Sequence, residues 1–213
     1  MCFSATASFI AGTALSISGI ATLRATTRKA EIPFAMIPLL FGLQQLVEGT
    51  LWLSFSHQAP QLNEAMTYLF SIFSHVLWPI FIPLSVGLIE IVPYRRKIIW
   101  LFLVAGLVVG FYLLYMIVEY PVTAVMETNI VYVSPHFYKI PVMLLYLAAT
   151  CVSCFFSSIA TIRLFGALAL LLFVLASWAF SVALFSVWCF FAAVLSFIIY
   201  VHFRFYSQMR SIG

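Results

Sequence analysis

The chain contains no aspartate, so all carboxylate chemistry rests on six glutamates. Charged residues are 8% of the 213 positions. A soluble domain carries roughly a quarter, so that class is excluded. Cysteine is scarce. Cys2, Cys151, Cys154 and Cys189 are scattered through apolar surroundings, which excludes a disulfide scaffold. No lysine lies inside an apolar run, which excludes a retinal-type Schiff base. There is no P-loop, no Gly-rich nucleotide motif and no H-E-x-x-H. No apolar run carries a row of arginines, so a voltage sensor is excluded. No inverted repeat is evident, which weakens a secondary-transporter reading. The first apolar run lacks a basic leader and a small-residue cleavage site, so no cleavable signal peptide is expected.

What is present is apolar. Hydrophobic residues make up 65% of the chain, and mean hydropathy is +1.15. Runs of about 20 apolar residues read as spanning helices. Seven are expected, near residues 3–23, 32–55, 65–89, 98–118, 141–159, 164–181 and 186–203. The expected fold is all-α, one seven-helix transmembrane domain over residues 1–213. Lys and Arg set orientation. Arg24, Arg28, Lys29, Arg95, Arg96, Lys97, Arg163, Arg204 and Arg210 fall on one side of that arrangement. Only Lys139 falls on the other. The basic side is read as cytoplasmic, with the N-terminus outside and the C-terminus inside. The long exterior loop between the fourth and fifth spans has two β-branched runs around Glu127 and Asn129, and reads as a short β-hairpin over the outer mouth.

Residues 39–53 carry the strongest functional signal. Gln44, Gln45 and Glu48 lie inside this apolar run, and no other glutamate is so placed. A charge at membrane depth costs about 2.5 kcal/mol or more, so Glu48 marks a candidate site. Gln45, Glu48 and Trp52 share a helical face. Glu48 lies about 10 Å below the outer surface at 1.5 Å per residue. In the third span Ser71, Ser74, His75 and Trp78 form a polar face. Trp188 and Cys189 lie at outer depth in the seventh span, and Cys2 begins the first. A thiol there gains from the helix dipole, and removal of Met1 would add a free amine. Pro79 and Pro83 should kink the third span and free carbonyls. Gly106 and Gly110 form a small-xxx-small pair, fitted to packing within the bundle and conceivable as a homodimer contact. Cys151 and Cys154 have C-x-x-C spacing, but mid-span, where packing is the expected role.

The opening Met1, Cys2, Phe3 and Ser4, residues 38–49 and residues 186–193 resemble a family of bacterial multi-pass membrane proteins of unknown function. The resemblance covers essentially the whole chain. It implies a bacterial cytoplasmic (inner) membrane and implies no activity. In span number the chain is also similar to membrane hydrolases that hold zinc with three histidines and an aspartate, but it lacks those ligands.

The leading expectation is an outward-opening polar pocket for a transition-metal ion or small ligand. Zn or Cu would be held by some of Cys2, Glu48, His75 and Cys189. Gln44, Gln45, Glu48, Trp52, Ser71, His75, Trp78 and Trp188 would line it. One alternative is an enzyme with Cys2 as nucleophile and His75 or Glu48 as base. Another is a proton-linked pathway for a small solute. The bilayer is the expected surrounding, and nucleic acid is not an expected partner. A reporter fused after Gly213 should be active only in the cytoplasm. Periplasmic activity would reverse the orientation and move Glu48 to the inner half.

Overall fold

The computed structural model describes residues 4–127, 129–134, 139–179 and 183–210, with side chains as far as residue 205. It is 84% helical, with seven helices and one small sheet. The helices are α1 (Ala5–Ala25), α2 (Ile32–Ser56), α3 (Pro60–Ile89), α4 (Pro93–Glu119), α5 (Ile140–Phe155), α6 (Ala160–Ala179) and α7 (Leu184–Leu195). Through Ser196 the seventh runs on into Phe197–Arg210. Six of the seven are long and apolar enough to cross a membrane.

Local chemistry places the helix starts. Ser4 caps α1 by accepting the Ala7 N–H at 3.2 Å. α2, α3, α4 and α5 each carry a proline in the first two positions. There the missing N–H costs nothing, because it would have had no helical partner. The fifth helix departs from the sequence reading. It stops at Phe155 instead of reaching residue 159, so it is roughly 24 Å long at 1.5 Å per residue, short of a bilayer core of about 30 Å. The next residues form a clamped turn. Arg95 and Arg163 each donate to the Ser157 carbonyl, at 3.1 and 2.9 Å. Glu90 accepts from the Ser158 N–H and hydroxyl at 2.6 and 2.8 Å, and from the Val92 N–H at 2.8 Å. Burial alone would push the Glu90 carboxyl up. The bonds from the Ser158 and Val92 backbone and the Ser158 hydroxyl outweigh it and hold the group below its ordinary range.

Two helices leave α geometry. Ile72–Leu77 inside α3 and Ala148–Val152 inside α5 are π-helical. In α3 the reason can be read. The Trp78 N–H reaches back to the Phe73 carbonyl, the i−5 pattern of a π-turn. On that register the Ser74 carbonyl needs the N–H of residue 79, which is proline. The Tyr146 hydroxyl from α5 supplies the missing donor. One turn on, Pro83 has no N–H for the Pro79 carbonyl. There α4 presents Gly106, so close that a Cβ would stand 1.9 Å from that oxygen. Gly110 faces Val76 and Ile80 of the same helix. Both glycines are therefore used inside the bundle.

α1 and α2 pack as the closest pair, and α1 also touches the second half of the seventh helix, so first and last helices are neighbours. The hairpin is β1 (Thr123–Met126) and β2 (Ile130–Val133), antiparallel, with Thr123 opposite Val133 and Met126 opposite Ile130. It sits at the end opposite the Lys and Arg clusters and packs on α3 and α7. Gly106→Ala should cost about 1–3 kcal/mol, because backbone must move. The gain in helix propensity of about 1 kcal/mol should not offset it. Gly87→Ala, whose nearest contacts would be an ordinary 3.4 Å, should keep that gain of about 1 kcal/mol. Thermal unfolding in detergent measures the contrast. Equal midpoints for the two variants would show that the Pro79 contact imposes no constraint.

Candidate functional site

α2 turns Gln44, Gln45 and Glu48 into the bundle, and all three are fully buried. Their 3–4 spacing keeps them on one face. Ser186 of α7 donates to the Glu48 Oε1 at 2.6 Å, and the Gln45 Nε2 donates to Oε2 at 3.4 Å. Gln44 accepts the Trp78 indole N–H at 2.7 Å. That indole is stacked on Phe41 with ring centroids 3.8 Å apart. Two polar side chains of α2 thus tie it to α3 and α7.

His75 is fully buried one helical turn from Trp78. Its Nδ1 lies 2.6 Å from the Ser74 hydroxyl. Its ring packs against Phe185, centroids 4.4 Å apart, and Phe185 precedes the serine that holds Glu48. Glu48 and His75 therefore both point inward and meet the same turn of α7. Ser71 is buried above them and donates to the Thr67 carbonyl at 2.8 Å.

The remaining candidates divide. Trp78, Trp188 and Cys189, with Tyr146, line a cavity of about 30 Å³. The Trp188 indole donates to the Ala169 carbonyl at 3.0 Å, and its ring meets Phe173 and Tyr146 edge-on. The Cys189 sulfur lies beside Gln44 and Glu48. Trp52 is one turn further toward the hairpin, against Leu51, Phe70, Ile130 and Tyr132. It walls the cap of the site and not the cavity. Cys2 lies outside the described residues. Cys151 and Cys154 are buried free thiols packed on Gly166, as the mid-span spacing suggested.

The donor set bears on the metal expectation. Among the described residues no three His, Cys, Asp or Glu side chains come together in a group that could hold a metal ion. Glu48, His75 and Cys189 lie in one region but do not form a ligand set for Zn or Cu. Instead the site has unmet hydrogen-bonding capacity. The Gln44 Nε2, Gln45 Oε1 and Trp52 Nε1 are buried without a hydrogen-bond partner among the described residues.

The family model that matches runs over residues 1–211. The chain belongs to DUF6629, a family of unknown function. No curated protein and no solved structure matches it.

Ser186 and Tyr146 are the site residues that sequence reading did not pick out. Ser186 looked like part of the break between the last two spans. Tyr146 looked like one more aromatic in an apolar helix. A phenol in mid-span, where its hydroxyl needs a partner, was the available signal. Tyr146→Phe should cost about 1–3 kcal/mol by leaving the Ser74 carbonyl buried without its donor. Denaturation of the detergent-solubilised variant checks it, and unchanged stability would mean that another donor takes over.

Proposed function

We propose that this is a multi-pass protein of the bacterial cytoplasmic membrane, with the hairpin end outside and the basic end in the cytoplasm. Its buried site at Glu48 serves a proton-linked pathway for a small hydrogen-bonding solute. The observation that carries the reading is unmet hydrogen-bonding capacity beside Glu48. The Gln45 oxygen is buried without a partner among the described residues, and the Gln44 N–H has no nitrogen or oxygen acceptor among them, in a region where each unpaired group costs free energy. A small molecule with both an acceptor and a donor complements these two.

Size then limits the occupant. The cavity of about 30 Å³ next to Trp78 and Cys189 has an apolar lining and room for no more than one water-sized molecule, and Glu48 itself does not line it. Glu48 supplies the exchangeable proton, and Ser186 and Gln45 orient its two oxygens. Ser74 and His75 stand on the other side of Phe185, a second exchangeable pair at the same depth. The metal reading has no such support, since its three described ligands do not assemble. The enzyme reading depends on Cys2, which lies outside the described residues.

The test is spectroscopic and functional. In reconstituted protein, an infrared carboxyl or carboxylate band should shift on exchange into D2O and be absent from Glu48→Gln. Proton entry into dye-loaded proteoliposomes after an acid pulse should fall roughly a hundredfold in that variant, the scale of a positioned acid–base group. Identical spectra and identical entry rates in the two proteins would overturn the reading.

A further inference from the structure

An open cavity of about 620 Å³ lies not at Glu48 but at the hairpin end. Ser54, Asn63, Glu64, Thr67, Tyr68 and Thr123 are among its walls. The floor is polar and ordered: the Asn63 amide donates to the Ser54 hydroxyl at 3.0 Å, bridging α3 to α2. Glu64 is the one charged residue on the walls described, and no Lys or Arg is among them.

Two helices descend from this cavity to the buried site in step. On α2, Ser54 lines the cavity, Leu51 lies one turn below, and Glu48 one turn below that. On α3, Thr67 lines the cavity, Phe70 and Ser71 follow, and then Ser74 and His75. The vertical distance is about 9–12 Å at 1.5 Å per residue. The middle level is an apolar plug. Leu51, Phe70, Ile130, Tyr132 and Cys189 form one buried cluster. Its centre is the parallel stack of Phe70 on Tyr132, centroids 4.4 Å apart and planes 5° apart. Tyr132 belongs to β2, and its cross-strand neighbour Ala124 lines the cavity. The hairpin is therefore both a wall of the outer cavity and the stopper of the inner site. A two-stranded sheet has little stability of its own and keeps its place by packing.

We propose that the outer cavity is a binding vestibule for small neutral or cationic hydrogen-bonding solutes, and that the Phe70–Tyr132 stack gates it from the Glu48 site. The charge preference follows from Glu64, which favours cations and repels anions. The size step follows from the two volumes: solutes collect in about 620 Å³ and only water-sized ones fit the 30 Å³ below until the stack parts. What lies below the gate rests on the proposed function; the vestibule and the gate do not.

Cys189, at the lower edge of the plug, is a native probe. The full-length protein in proteoliposomes is treated from the hairpin side with trimethylammonium-ethyl or sulfonato-ethyl methanethiosulfonate, and the adduct on Cys189 is followed by peptide mass spectrometry. Tyr132→Ala should speed the cationic reaction at least about tenfold, by removing the packing that keeps the gate shut. Tyr132→Phe should keep the wild-type rate. Glu64→Gln, at the cavity wall, should bring the cation and anion rates together. If Tyr132→Ala does not fold, Phe70→Leu opens the same stack with less loss of apolar contact. Equal Cys189 rates in the wild type and in a folded gate variant would overturn the gate. Equal cation and anion rates with Glu64 present would overturn the vestibule's selectivity. Neither result bears on the infrared band of Glu48, so failure of the gate and failure of the proton-linked reading are separable.

Discussion

Inside an apolar medium a polar group has no solvent to fall back on, and this constraint governs the interior of the bundle. Glu48 is the extreme case. A carboxyl there is tolerable only with hydrogen bonds in place, and those among the described residues include Gln45 on its own helix and Ser186 on the last. The Ser186 bond fixes α7 against α2. The Gln44–Trp78 bond fixes α3 against α2. Satisfying one face of one helix therefore determines which helices stand around it.

The same constraint operates on the backbone of α3. Its two prolines remove two donors, and the π-turn shifts the register so that a third-party donor is needed. The bundle answers with a hydroxyl at one place and with close backbone approach at the other. Tyr146 bonds the Ser74 carbonyl, and Gly106 lets α4 lie against the Pro79 carbonyl. A helix with a π-turn and two prolines is stable only where its neighbours satisfy the freed backbone groups. That explains why the Gly106 and Gly110 face is turned inward.

The two ends of the bundle are built differently. At the basic end the chain is tied by charge-assisted bonds: Glu90 to the 157–158 turn, Arg95 and Arg163 to the Ser157 carbonyl, and Arg28 to Glu31 at 2.7 Å. At the hairpin end the closure is apolar and aromatic, a stack and a few aliphatic side chains over a polar floor. Directional ties resist opening, whereas a small apolar contact can part and reform.

Much of this was written in the sequence, because length and apolarity are one-dimensional properties. Helix number, the hairpin around residues 127–129 and the isolation of Glu48 all follow from local composition, whereas the helix starts at Pro60 and Pro93 precede the expected 65 and 98. The inward face of Gln44, Gln45 and Glu48 follows from helical period. The sequence could not assign partners. Ser186 stands 138 residues from Glu48 along the chain, and Tyr146 stands 72 from Ser74. Nothing local marks either as the group that completes a bond. Depth alone put His75, Cys189 and Glu48 in one region, but a shared depth leaves rotation about each helix axis free. The tertiary structure fixed those rotations with bonds between helices, from Ser186 to Glu48, from Trp78 to Gln44 and from Tyr146 to the Ser74 carbonyl. Glu48 is thereby held by serine and glutamine and His75 contacts Ser74, while the Cys189 thiol packs in the plug beside Glu48.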